Sequence, residues 1–138
     1  MTYATTQDLV DRFSQAELLE LTDFDGNGSI DQAVVDQALA DAAQIINSYV
    51  GARYDLPLAE TPALLTALAA DIARYRLYKD DPTEVVQENH KAALRQLKDI
   101  AEGRAVLDIG GSEPAPAEAS VEVASRDRLF SRDTLKGY

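Results

Sequence analysis

Residues 31–54 read DQAVVDQALADAAQIINSYVGARY, and this stretch decides the fold class. Val35, Leu39, Ala42, Ile46 and Tyr49 recur at spacings of four and three, which lines them up as one apolar stripe of an α-helix. Asp31 offers a carboxylate to the free amides of the first turn, so the pattern predicts a helix running from Gln32 to about Tyr54. Gly51 falls inside this pattern and weakens its last turn. A long helix with one apolar stripe is stable only when that stripe meets another element.

The flanking sequence supplies further helices. Upstream, Thr5 or Thr6 can cap a first helix whose face carries Leu9, Val10 and Phe13. Ser14-Gln15-Ala16-Glu17 has the spacing of a capping box, Ser14 bonding the amide of Glu17 and Glu17 reaching back, with Leu18, Leu19 and Leu21 behind it. Downstream, Asp55-Leu56-Pro57-Leu58 breaks the long helix. Thr61 is then expected to cap the next, with Pro62 in its first position, where a missing N–H costs nothing. That helix is predicted to reach about Lys79 on a stripe of Leu65, Leu68, Ile72 and Tyr75, with Ala67, Ala69, Ala70 and Ala73 allowing close helix approach. After Asp80-Asp81-Pro82, with Asp81 as cap, a last helix carries Val86, His90, Ala93, Leu97 and Ile100 to about Glu102 and stops at Gly103.

The expected architecture is therefore all-α, a compact bundle of about four to five helices over residues 1–104. Residues 105–138 form a linker and an extended C-terminal docking segment. The linker is signalled by GGSEPAPAE at residues 110–118, and Val121-Glu122-Val123 alternates like a short strand. Beyond it Leu129, Phe130, Leu135 and Tyr138 are separated by charges of both signs, among them Arg128 and Arg132. Apolar side chains of this size are costly to leave in water, which favours docking over an idle end.

Composition narrows the function. The chain of 138 residues has 46% hydrophobic and 27% charged residues, the balance of a water-soluble globular protein. It has no cysteine, which excludes disulfides, thiolate chemistry and cysteine-based zinc sites. The start lacks the order of a signal peptide and no apolar run is long enough to span a bilayer, so the expected compartment is the cytoplasm where the chain is made, with no membrane partner. The net charge of −11 is uneven. Residues 1–60 hold eleven acids against Arg12 and Arg53, and residues 124–138 hold four bases against two acids. Such a body repels a phosphate backbone, which argues against sequence-specific nucleic-acid binding, while a basic end can dock on an acidic surface.

One motif carries site chemistry. Asp23, Asp25, Asn27, Gly28, Ser29 and Asp31 fall at positions one, three, five, six, seven and nine of an EF-hand-like loop. Asp23, Asp25, Asn27, Ser29 and Asp31 are thus candidate ligands of a structural calcium. The twelfth position holds Val34 instead of a bidentate glutamate, and a tight turn with Asp31 capping the long helix explains the same residues. Apart from that calcium, no cofactor is expected. His90 is the single histidine and lies on an apolar stripe, which favours a packed role over a catalytic base. Arg53, Arg74 and Tyr75 are candidates for subunit packing: the arginines either pair with surface acids or make buried ion pairs that fix helices or a subunit interface. No phosphate-binding glycine loop, nucleophile elbow or histidine pair is present, so no enzymatic activity is expected.

The order of segments TYATTQDLVDRF, ELLELTDFDGNGSID, YVGARYDLPL, DIARYRLY and RLFSRDTLKGY, spread over nearly the whole chain, resembles the head–tail connector (adaptor) proteins of Mu-like phages and prophages. The resemblance implies a structural virion protein of the neck, assembled in the host bacterial cytoplasm. It implies self-association into a ring, commonly a dodecamer, beneath the portal protein, which extends the DNA channel and presents a surface to the next neck or tail protein. DNA would pass through without sequence-specific binding. It also places the portal contact in the C-terminal segment, on Val121, Val123, Arg128, Leu129, Phe130, Arg132, Leu135 and Tyr138. Two other readings stay open at this point: a neck stopper or tail-completion protein of the same module, and a calcium-responsive binding module.

Overall fold

Thr5 opens the first helix with a reciprocal pair of bonds: its hydroxyl accepts from the Asp8 amide at 3.2 Å, and the Asp8 carboxylate accepts from the Thr5 amide at 2.8 Å. The computed structural model describes residues 2–79 and 81–107. Among them are five helices and no strand: α1 (Thr6–Phe13), α2 (Gln15–Thr22), α3 (Gln32–Val50), α4 (Ala63–Tyr78) and α5 (Glu84–Ala101). The expected C-terminal strand at residues 121–123 lies outside the described residues.

The helix starts follow local chemistry, with three departures from expectation. Ser14 accepts from the Glu17 amide at 3.2 Å, but Glu17 does not reach back, because the Ser14 amide already donates to the Val10 carbonyl at 3.0 Å. Asp31 caps α3 through the Ala33 amide as expected. Thr61 does not cap α4. Pro62 itself is the cap residue, with φ −64° and ψ 146°, and the helix begins one residue later than the sequence suggests. Likewise Thr83, not Asp81, caps α5 by accepting from the Val86 amide. In both cases the proline sits just outside the helix: its fixed φ suits extended backbone as well as a first turn. Helix α3 ends at Val50, before the expected Tyr54, and residues 51–54 curl back onto the carbonyls of Asn47, Tyr49 and Val50.

Helix α4 is the hub. It packs most extensively on α3, then on α5, and also touches α1 and α2; α5 packs on α3 as well. Alanine makes this closeness feasible, since Ala69, Ala70 and Ala73 of α4 and Ala38, Ala42 and Ala43 of α3 are all buried. Around them Leu9, Leu18, Val35, Ile46, Leu65, Ile72, Leu97 and Ile100 are fully or almost fully enclosed. Each such side chain contributes about 1.5–3 kcal/mol by leaving water. Tyr75 and Tyr49, expected on the buried stripes, are only half-buried, and Leu77 takes the core position on α4 instead.

A few polar bonds tie distant parts of the chain. Tyr3 donates through its phenol to the Asn47 side chain, while its carbonyl accepts from Thr66 at 2.9 Å, so the N-terminal segment is pinned to both α3 and α4. Thr22, buried at the end of α2, donates to the Leu18 carbonyl at 2.8 Å and accepts from the Asp31 amide at 3.1 Å. Leu107 is buried, three residues past the expected end of the helical domain, and its amide donates to the Tyr54 phenol at 2.8 Å.

Candidate functional site

The acidic loop between α2 and α3 is held by its own side chains. The two Asp23 oxygens accept from the amides of Asn27 and Gly28, both at 2.9 Å, and Asn27 accepts from the Ser29 amide and hydroxyl, both at 3.0 Å. Gly26 and Gly28 adopt φ of +73° and +80°, the left-handed backbone that makes so tight a path accessible. Of the five candidate calcium ligands, Asp23, Asn27 and Asp31 therefore have side-chain oxygens engaged with backbone amides, and Asp25 is exposed. Among the described residues, no group of three or more histidine, cysteine, aspartate or glutamate side chains is gathered as a metal site. Phe24, in the same loop, is 61% exposed, and the Lys79 ammonium lies 4.6 Å from its ring centre.

The subunit-packing candidates separate. Arg74 makes a two-pronged ion pair with Glu17, Nε at 2.6 Å and Nη2 at 3.0 Å, and its guanidinium lies 4.3 Å from the centre of the Phe13 ring. It thus joins α4 to α1 and α2 within the body. The bond to Glu17 raises the Arg74 pKa further above its ordinary value. Beside it, burial raises the Asp71 carboxyl, against the pull of Arg74 and Arg12. Arg53 is half-buried in the turn after α3. Tyr75 stacks flat on His90, centroids 3.8 Å apart and planes 5° apart. Burial, then the charge of Arg76, lowers the His90 pKa.

A groove that the sequence patterns do not reveal runs along one side of α3. It comprises two hollows, 380 Å³ and 610 Å³, that share Arg76 and Lys79. Val34, Ala38, Ile45 and Tyr49 of α3 form its apolar floor, and Tyr75, His90 and Leu94 close one end. Tyr49, expected on the core stripe of α3, is half-buried and lines this groove. The expected docking residues Val121, Val123, Arg128, Leu129, Phe130, Arg132, Leu135 and Tyr138 lie outside the described residues. No helix among the described residues is long and apolar enough to cross a membrane.

The described residues form a helical body with an exposed aromatic loop and an open groove. Among known proteins, the family described as "Bacteriophage Mu, Gp36" matches residues 3–125. The chain is 33% identical over 137 residues to the Mu-like prophage FluMu protein gp36 of Haemophilus influenzae, covering 99% of this chain and 97% of that one. It is 34% identical over 141 residues to gene product J of Escherichia phage Mu, covering 100% and 99% of the two chains. The chain belongs to this Mu-like phage family.

Proposed function

We propose that this protein is the head–tail adaptor of its phage, a structural virion component. Copies form a ring, a dodecamer by resemblance to other adaptors, beneath the portal protein. The ring extends the DNA channel and presents its far side to the next neck or tail protein. The observation that carries the reading is membership of the Mu-like phage family along almost the whole chain, on a body in which five helices are followed by a long C-terminal segment. The charge fits the role: a wall of the same sign as DNA lets the genome slide without sticking. The C-terminal segment makes the portal contact, with Phe130 and Tyr138 as anchors and Arg128 and Arg132 pairing with acids on the portal.

The test is cosedimentation with the portal protein of the same phage, with negative-stain imaging, for the full chain and for a chain ending at Ser120. The full chain is expected to form a ring on the portal and the shortened chain to be lost from it. Binding of both forms to a tail component, and of neither to the portal, replaces the adaptor with a neck stopper or tail-completion protein.

A further inference from the structure

The groove along α3 has an apolar floor and cations on its wall, in a protein with a large excess of acids. Its floor stripe from Val34 to Tyr49 spans sixteen residues of helix, about 22 Å. Among the described residues neither Arg76 nor Lys79 has a carboxylate within ion-pair distance. The rim offers one acid, Asp41, which is already bonded to Gln37. An occupant that fits is extended, apolar on one face, acidic on the other, and roughly seven residues long.

The chain itself carries such a segment. Residues 117–123 read AEASVEV. In an extended conformation Ala117, Ala119, Val121 and Val123 fall on one face and Glu118 and Glu122 on the other. Seven extended residues cover about 20 Å, the length of the floor stripe. The connection also suffices. Leu107 is fixed at Tyr54, five residues beyond the groove end at Tyr49, and the nine intervening residues 108–116 can span up to roughly 30 Å.

We propose that residues 117–123 lie in the α3 groove of their own chain, Val121 and Val123 on its floor and Glu118 and Glu122 against Arg76 and Lys79. Backbone groups on the water-facing edge of the segment are satisfied by solvent without a partner strand. This reassigns Val121 and Val123 from the portal contact to the body, and leaves Arg128 to Tyr138 as the part that projects. The proposal goes beyond the adaptor reading and does not require a portal.

The natural absence of cysteine makes the test clean. In the full chain, Ser48→Cys, in the groove, is paired with Ser120→Cys. A control pairs Ser120→Cys with Gln7→Cys, at a hollow on the other flank of α3. Ser48 and Gln7 lie outside the hydrophobic core, so the body's folding is preserved. In dilute solution the groove pair is expected to form its intramolecular disulfide roughly tenfold faster than the control, because docking raises the local concentration. Adding Val121→Glu and Val123→Glu is expected to bring it down to the control rate. Equal rates for the two pairs, or a rate unmoved by the valine changes, overturn the proposal. Disulfide-linked dimers in place of the internal bond also overturn it, and assign the groove to a second copy. None of these outcomes depends on portal binding, so the adaptor reading stands or falls separately.

Discussion

Arg74 and Glu17 stand 57 residues apart in sequence and are joined by two hydrogen bonds, at 2.6 Å and 3.0 Å, with side chains only 17% and 19% exposed. The pair fastens the α1–α2 corner to the central helix, with Phe13 packed on the guanidinium. Removing either partner deprives a largely enclosed charge of its two-pronged ion pair. Arg74→Ala and Glu17→Gln are each expected to destabilise by about 1–2 kcal/mol. In urea unfolding the double variant is expected to show a coupling of about 1 kcal/mol. Additive losses would show that the two charges act independently.

The His90 ring gives stability a pH dependence of definite sign. Its folded-state pKa lies below the ordinary 6.5, chiefly through burial. The unfolded chain therefore takes up the proton first as pH falls, so stability is held above about pH 6.5 and lost below it, down to the folded-state pKa. His90→Phe keeps an aromatic face for Tyr75 and removes the titration. Denaturant midpoints from pH 7.5 to 5 are expected to fall less steeply in this variant than in the parent protein.

Thr22 joins the end of α2 to the start of α3 through one buried hydroxyl. Thr22→Val keeps the shape and leaves the Asp31 amide without its acceptor. A loss of about 1–2 kcal/mol is expected. Hydrogen exchange of the Asp31 amide should accelerate more than that of amides in α4, which distinguishes a local opening from uniform weakening.

Gly51 ends α3 where there is no room for a side chain. A Cβ there would lie 2.8 Å from the Asn47 carbonyl oxygen and 3.3 Å from Leu56 Cδ1. Gly51→Ala, favourable in an ordinary helix, is expected to lower stability by about 1 kcal/mol or more in thermal unfolding. A stabilised variant would mean that the turn at residues 51–54 relaxes freely.

Local signals were legible where the decisive partner is a near neighbour in sequence. The Thr5 cap, the Asp31 cap and the core stripe Val35, Leu39, Ala42 and Ile46 all depend on residues within a few positions, and a bundle of about four to five helices follows from such signals. Glu17 was misread because its carboxylate is claimed by an arginine on another helix, and no local pattern encodes that competition. Pro62 and Pro82 misled because a proline φ suits the residue before a helix as well as the first residue within it. The groove is not legible in the sequence for a related reason: Arg76 and Lys79 at the end of α4 and His90 of α5 meet Val34 and Tyr49 only after packing. Of the candidate sites, the tail residues lie outside the described part, Asp31 caps α3 as its pattern indicates, and Arg74 pairs with Glu17, a partner no local pattern names.

The bond between the Tyr54 phenol and the Leu107 amide fixes the point from which the chain continues beyond the described residues. In a rotationally symmetric assembly such departure points repeat on a circle of constant radius, one for every copy. In the proposed ring, a single phenolic oxygen in the turn after α3 sets one common radius for Leu107 in every copy.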